Sequence, residues 1–125
     1  MIQLDTSFLI RALVRGSGED RRLRTWLTDA APLTISAIAW TEFLCGPLEP
    51  DTAELASRMA GDHVPFTSED AVLAAHLFNL SGRRRGTLVD CMVAATAIRG
   101  NAELATANPA DFRRFEKAGL RIAGP

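Results

Sequence analysis

Four acidic side chains are placed along the chain where they could share one metal ion. They are Asp5 before the first predicted helix, Glu42 within the third, and Asp90 and Asp111 near the starts of the last two. A helix N-terminus stabilises negative charge, so it keeps a nearby carboxylate ionised. Ionised oxygens are the ligands that Mg²⁺ and Mn²⁺ take, alongside waters and substrate phosphate. The histidines His63 and His76 are too few and too poorly placed for zinc, so the pattern favours a hard divalent cation.

Each acid also has an ordinary structural explanation. Asp5 could cap the first helix, and the segments Thr87–Asp90 and Asn108–Asp111 both match a capping box with Asp at the third helical position. Glu42 could lie on a polar helix face. It follows Ser36 by more than a turn among apolar neighbours, where a carboxylate is costly unless it is paired or bound to metal. The metal-binding and capping interpretations both stay open at this point.

Short apolar segments alternate with helical patterns along the whole chain. The strand candidates are Ile2–Leu4, Leu33–Ile35, His63–Phe66, Glu103–Ala105 and Leu120–Ile122. This alternation predicts an α/β fold of three layers, with helices on both faces of a short, mostly parallel sheet. Pro65 suits an edge strand. Ligands of such sheets bind beyond the carboxyl ends of the strands, where we expect Asp5 and the segment Thr106–Asp111.

Helix starts and a central helix can also be predicted. Ser36 and Thr87 are placed to cap the third and sixth helices, and either Thr67 or Ser68 is placed to cap the fifth. The helix Leu88–Arg99 contains an apolar run that looks buried nearly all round, which is typical of a central helix. Cys45 and Cys91 lack the spacing of a metal site or of a secreted scaffold, and we expect both to be small buried residues without a disulfide.

Length and composition predict a single globular domain spanning residues 1–125, since 47% of the residues are hydrophobic and 23% are charged. No apolar run approaches the roughly 20 residues needed to cross a bilayer. The apolar N-terminal stretch is interrupted by charged residues and has no cleavage site. We therefore expect a soluble, cytoplasmic protein that does not bind membranes.

Charge composition alone does not indicate nucleic-acid binding, because the formal net charge is −1. Arginines nevertheless occur in groups, at positions 21, 22 and 24, at 83 to 85, and at 113 and 114. Such groups could form a basic rim around an acidic pocket, or they could be solvated faces.

Four short motifs follow one another along the chain. They are Leu4-Asp5-Thr6-Ser7, Thr41-Glu42, the segment Leu88–Ala97 around Asp90, and Ala105–Phe112. The order of these motifs and the overall length of the chain resemble those of PIN-domain proteins. Within that family the pattern is most similar to the VapC toxins of bacterial toxin–antitoxin pairs. The resemblance covers essentially the whole chain.

The resemblance implies roles for particular residues. Asp5, Glu42 and Asp90 match three acids that coordinate Mg²⁺ or Mn²⁺, and the hydroxyls of Thr6 and Thr106 match groups that steady the site.

The fourth acid departs from the family's common pattern. Family members often carry an acid where this chain has Asn108, whereas Asp111 matches the acid before Phe in a common variant. The resemblance therefore implies Asp111 as the fourth catalytic acid, with Asn108 able to accept a hydrogen bond from a metal-bound water.

The same resemblance implies a function and partners. It implies an endoribonuclease that hydrolyses RNA phosphodiesters with a metal-activated water, acts as a toxin, is neutralised by a cognate antitoxin and forms a homodimer. The arginines that would hold flanking phosphates are Arg83, Arg84, Arg85, Arg113 and Arg114. Apolar residues that could receive the antitoxin, or could simply be core, are Leu13, Trp26, Leu44 and Leu48.

Three other functions compete with this one. A phosphoryl-accepting receiver domain needs a Lys at the edge of its sheet, and the only Lys is Lys117. A haloacid-dehalogenase-like phosphatase needs an acid at the position of Ser7. The strongest rival is a non-catalytic PIN-like module that binds RNA or protein, and a metal-dependence assay separates it from a nuclease.

Overall fold

In the computed structural model, which describes residues 1–124, five short strands form one sheet. The strands are β1 (Ile2–Leu4), β2 (Leu33–Ser36), β3 (His63–Val64), β4 (Glu103–Ala105) and β5 (Arg121–Ile122). Their order is β3-β2-β1-β4-β5, and all four pairings are parallel. The predicted parallel α/β sheet is confirmed, and so is the edge position of β3. Pro125, the last residue of the predicted domain, lies outside the described residues.

Seven α-helices connect the strands. They are α1 (Thr6–Ala12), α2 (Gly18–Thr28), α3 (Ala37–Leu44), α4 (Pro50–Met59), α5 (Ser68–Leu80), α6 (Leu88–Arg99) and α7 (Pro109–Phe112), with 3₁₀ segments at Arg85–Thr87 and Arg113–Ala118. From β1 to β3 the chain crosses the sheet in one direction, and from β3 to β5 it crosses in the other. Because parallel crossovers are right-handed, the two groups of helices cover opposite faces, as predicted.

Two helix starts follow the predicted capping. The Ser36 hydroxyl accepts a 3.0 Å hydrogen bond from the Ala39 N–H at the start of α3. At α5, Thr67 and Asp70 form a reciprocal capping box with bonds of 3.2 and 2.9 Å. The predicted cap at α6 is wrong, because the Thr87 hydroxyl donates to the Arg84 carbonyl instead.

Helix α6 packs centrally, as its apolar run predicts. Cys91 and the residues from Val93 to Ala97 are buried, and the side-chain amide of Gln3 on β1 donates to the Val93 carbonyl at 3.3 Å. Both cysteines are free, but Cys45 is exposed after α3, so its predicted burial is wrong. Across residues 1–124, none of the helices is both long and apolar enough to span a membrane.

The strand register brings three strand ends to one edge. Leu4 on β1 is aligned with Ile35 on β2 and with Ala105 on β4. The next residue, Asp5, donates its N–H to the Ala105 carbonyl at 2.8 Å. The direction of chain crossing reverses between β1 and β4, and a crevice opens at such a reversal in a parallel sheet.

Candidate active site

Asp5 lies at this reversal and is held by two hydroxyl groups. The residue is 6% exposed. Its Oδ2 accepts hydrogen bonds from Ser7 Oγ at 2.8 Å and from Thr106 Oγ1 at 2.9 Å. Within residues 1–124, both side-chain hydrogen bonds to this carboxylate are made to Oδ2, and none is made to Oδ1. Asp5 makes no side-chain cap bond to α1, so the capping interpretation does not hold for it.

Backbone groups fix the direction of both hydroxyls. The Ala107 N–H donates to Ser7 Oγ and the Asn108 N–H donates to Thr106 Oγ1, each at 3.1 Å. With an acceptor lone pair already occupied, each hydroxyl turns its own hydrogen towards Asp5. Ser7 is a site residue that the sequence analysis missed. Its position two residues after Asp5, at a helix start, was the one local signal for it.

Glu42 faces the same edge from α3. Partial burial raises the pKa of its carboxyl above the ordinary value, and the negative charge of Asp5 raises it further. A hydrogen bond from Thr6 opposes this rise in pKa, and the charge of Asp90 adds to it. The residue as a whole is exposed while its neighbour Phe43 is buried. Of the two interpretations left open by the sequence, the structure therefore favours the exposed, polar helix face over apolar surroundings.

Thr6 joins Glu42 to the helix backbone. Its hydroxyl oxygen lies 2.7 Å from the Ala39 carbonyl and 3.3 Å from Glu42 Oε1. A hydroxyl carries one hydrogen, so it donates to one of these acceptors at a time. Thr6 therefore lies within hydrogen-bonding distance of the Glu42 carboxylate.

Asp90 completes a group of interacting acids. Partial burial raises the pKa of its carboxyl, and the charge of Asp5 raises it further. Arg114 lowers this pKa, whereas Asp111 raises it. The Arg114 guanidinium lies 3.7 Å from Asp90 Oδ2. The charges of Asp5 and Asp111 therefore act on Asp90, and the charge of Asp90 acts in turn on Glu42 of α3.

The capping boxes expected around two of the acids are not formed. Thr87 and Asn108 precede α6 and α7, and neither side chain makes a cap hydrogen bond. The Asn108 N–H, which Asp111 would accept in a capping box, is directed to Thr106. The capping-box explanation therefore does not hold for Asp90 or Asp111, although both lie in the first turn of a helix and Asp90 pairs with Arg114. Asp111 and Asn108 are both exposed.

The predicted RNA-binding arginines are dispersed. Arg114 contacts Asp90, whereas Arg113 faces Glu116 at 3.9 Å. In the segment before α6, Arg83 donates to Asn79 at 2.9 Å, and Arg84 and Arg85 are exposed. One of the five arginines is thus brought to the acids.

The donor chemistry fits a hard cation. Carboxylate oxygens that repel one another, one of them with a free Oδ1, provide the negative charge that Mg²⁺ and Mn²⁺ prefer. Within residues 1–124, however, no three His, Cys, Asp or Glu side chains are spaced to hold an ion directly between them. Mg²⁺ keeps several waters and binds through one or two carboxylates, so a closed cage is not required.

The chain can be compared with known families and structures. A family model described as PIN domain matches residues 2–118. A comparison with curated protein sequences gives no match.

Three solved structures illustrate the likeness. FitAcB from Neisseria gonorrhoeae is 22% identical and covers 100% of this chain and 98% of its own, with a TM-score of 0.70. VapBC-1 from nontypeable Haemophilus influenzae is 19% identical, with coverage of 98% and 97% and a TM-score of 0.73. VapC20 from Mycobacterium tuberculosis, described as a sarcin–ricin loop cleaving toxin, is 16% identical, with coverage of 100% for both chains and a TM-score of 0.68. At these identities the likeness concerns the fold.

Proposed function

Because this chain belongs to the PIN-domain family, we propose that it is a divalent-metal-dependent endoribonuclease that acts as the toxin of a toxin–antitoxin pair. The observation that carries the proposal is the electrostatic coupling of Asp5, Glu42 and Asp90 at the crevice of a parallel sheet. The negative charge of Asp5 raises the pKa values of Glu42 and Asp90, and a cation placed among the three carboxylates would offset this repulsion. RNA phosphodiesters are the proposed substrate.

Asp5 and Asp90 are the proposed direct ligands of Mg²⁺ or Mn²⁺. Asp5 offers Oδ1, because Ser7 and Thr106 occupy Oδ2. The chemistry supplied by such an ion is a lowered pKa of bound water and neutralised charge on the phosphoryl oxygens. The two hydroxyls hold Asp5 in one rotamer before any ligand arrives, which lowers the entropic cost of binding.

Glu42 is the proposed group that orients the attacking water and takes its proton. Its raised pKa brings it closer to neutral pH, where a general base is most effective. Thr6 can serve both protonation states of Glu42. It donates to the carboxylate when Glu42 is ionised, and it accepts from the protonated acid while donating to the Ala39 carbonyl.

Asp111 and Asn108 are proposed to complete the site. Asp111 is close enough to raise the pKa of Asp90, and it supplies the charge that the neutral Asn108 lacks. Arg114, and the exposed groups at 83 to 85 and at 113, are proposed to contact RNA phosphates.

An apolar groove supports the proposal of an antitoxin partner. A cavity of about 370 Å³ lies between α1, α2 and α4. Its apolar lining is Ala12, Leu13, Leu23, Leu27, Leu55 and Met59, and the charged residues Arg15, Asp20 and Arg24 complete it. Leu27 and Leu55 are 45% and 47% exposed. Such exposed apolar surface marks a binding site for protein, and we propose that an apolar segment of the antitoxin fills it.

The four apolar residues that the sequence suggests for binding the antitoxin are not equally accessible in the structure. Leu13 lines the groove and Leu44 is exposed. Trp26 stacks on Phe8 at 5.4 Å, and Leu48 packs on the core, so these two are partly committed to the fold. The homodimer remains a proposal from the family resemblance.

The proposed function is tested by titrating purified protein with Mg²⁺ and Mn²⁺ against a panel of structured RNAs, with an EDTA control. We expect at least one RNA to be cleaved, and this cleavage should require the metal. In Asp5→Asn the rate should fall at least about 100-fold, since about 2.7 kcal/mol of lost transition-state stabilisation gives that factor. RNA binding without cleavage under every metal would overturn the nuclease and leave a non-catalytic PIN-like module.

A further inference from the structure

A second concavity lies beside the acids and has the opposite charge. It measures about 470 Å³ and lies between α5 and the 3₁₀ segment Arg113–Ala118. Leu77, Leu80 and Phe115 form its apolar wall, and His76, Arg114 and Lys117 provide its ionisable groups. Among the described residues no Asp or Glu lines it, although acids outnumber bases in the whole chain.

Arg114 connects this basic cavity with the acids. It lines the cavity, and its guanidinium lies 3.7 Å from Asp90 Oδ2. Its side chain is 31% exposed and that of Asp90 is 35% exposed. An exposed ion pair of this length contributes little to stability. The guanidinium can therefore leave Asp90 at low cost when another anion is offered.

The guanidinium of Arg114 lies over the ring of Phe115. The guanidinium carbon lies 4.6 Å from the centroid of the Phe115 ring, and that ring is 1% exposed and belongs to the core. An arginine held over an aromatic ring can present its outer side to a nucleobase while its N–H groups bind phosphate. The low aromatic content does not prevent base binding here, because the guanidinium itself provides the stacking surface.

We propose that this basic cavity is the subsite for a nucleotide of the RNA next to the cleaved phosphate. Its base lies on Arg114 and against Leu77 and Leu80, and its phosphate is bound by Arg114 and Lys117. The volume falls within the roughly 300–1,000 Å³ of small-molecule pockets. This inference rests on the proposed function, because it assigns a binding site to the nucleotide next to the cleaved phosphate of the same RNA.

The ion pair between Arg114 and Asp90 links RNA binding at the subsite to metal binding at the acids. In the free protein Arg114 partly neutralises Asp90. A divalent cation held by Asp5 and Asp90 would repel the guanidinium, and Arg114 would then be free to contact the RNA phosphate. Binding of metal and of RNA should therefore strengthen each other, and the strengthening is reciprocal.

The subsite is tested by methyl NMR of leucine-labelled protein titrated with a mixed-sequence RNA tetranucleotide in EDTA, where no cleavage occurs. We expect the methyl signals of Leu77 and Leu80 to shift, while those of Leu27 and Leu55 in the apolar groove stay in place. Lys117→Gln should weaken the tetranucleotide Kd about two- to fivefold, which is the range of one exposed charge pair. Arg114→Gln should weaken it at least about tenfold. Arg58→Gln, on α4, removes the same charge elsewhere and should leave the Kd within twofold.

Two other results would overturn the subsite. One is a lack of response at Leu77 and Leu80. The other is a shift of these signals on dilution of the protein alone, because the cavity would then hold a second copy of the chain. If the protein cleaves RNA with Mn²⁺ and these methyls stay still, the proposed function stands without the subsite. If the methyls shift and no metal supports cleavage, the subsite stands and the nuclease fails.

Discussion

At the scale of single residues, the metal-free protein keeps acids together that repel one another. Partial burial and the charge of Asp5 raise the pKa values of both Glu42 and Asp90. A raised carboxyl pKa means that the ionised form is less stable in the folded than in the unfolded chain. The site therefore costs stability, and a bound cation offsets that cost.

Replacement of Asp90 should separate function from stability. In Asp90→Asn we expect metal-dependent cleavage to be lost, while the melting temperature without metal is unchanged or higher at neutral pH. The reason is that the amide removes a repelled charge and no capping bond is lost. Melting and cleavage should be measured on one preparation, with Asp62→Asn as the matched control. A lower melting temperature together with intact cleavage would contradict the proposed role of Asp90.

The two raised pKa values also predict how the stability of the folded protein depends on pH. Glu42 and Asp90 have folded pKa values above the unfolded values of about 4. Their contribution is favourable below pH 4 and is lost as the pH rises through the folded pKa values. Wild type should therefore lose stability relative to the Glu42→Gln/Asp90→Asn variant over that window. Thermal melts in EDTA check this, and parallel curves for the two proteins would contradict it.

Asp111 should matter for metal activation and little for folding. It is exposed and forms no capping box with Asn108, so Asp111→Asn removes charge and no hydrogen bond to the helix start. We expect Mn²⁺ activation to weaken at least about tenfold, which corresponds to about 1.4 kcal/mol, with an unchanged melting temperature. Unchanged activation would leave a three-acid site assisted by Asn108.

At the scale of secondary-structure elements, Ser7 ties the start of α1 to the segment after β4. Its hydroxyl donates to Asp5 and accepts from the Ala107 N–H. Ser7→Ala should lower stability by about 1 kcal/mol, because a partly buried N–H loses its acceptor. It should also weaken Mn²⁺ binding, because Asp5 loses one of two groups that orient it. Calorimetric Mn²⁺ titration measures the second effect.

A matched substitution separates these effects from the general loss of a hydroxyl. Ser57 lies on α4, and within residues 1–124 its side chain makes no hydrogen bond. Ser57→Ala should leave both the stability and the Mn²⁺ affinity within error of wild type. Normal Mn²⁺ affinity in Ser7→Ala would show that Thr106 alone suffices to orient Asp5.

The elements were predictable where local patterns decide them. Apolar runs between Gly, Pro and polar turns marked all five strands, and Pro65 marked the edge strand, although β3 ends at Val64. The predicted cap by Thr87 failed because residues 85–87 already form a 3₁₀ turn that takes its hydroxyl. Ser7 was missed because Ala107, whose N–H donates to it, and Thr106, whose hydroxyl lies beside it, are about 100 residues away in the chain. Spacing along the sequence carries no signal for such contacts.

At the scale of the whole molecule, three surfaces of different chemistry can be distinguished. The acids lie beyond the ends of β1 and β4, the basic cavity lies beside Asp90, and the apolar groove lies between α1, α2 and α4. The formal charge of −1 hides this separation, because basic and acidic groups occupy different regions. A nearly neutral chain can therefore offer separate regions to a cation, a phosphate and an apolar protein segment.

The most direct test of the account is the rate of RNA cleavage as a function of Mn²⁺ concentration for wild type, Asp5→Asn and Glu42→Gln. We expect saturable activation of wild type and complete loss of cleavage in EDTA. Asp5→Asn should need far more Mn²⁺, because a proposed ligand is weakened. Glu42→Gln should bind Mn²⁺ but cleave slowly, because it cannot take the proton. Cleavage that persists in EDTA, or that is equal in all three proteins, would contradict a metal-dependent nuclease at these acids.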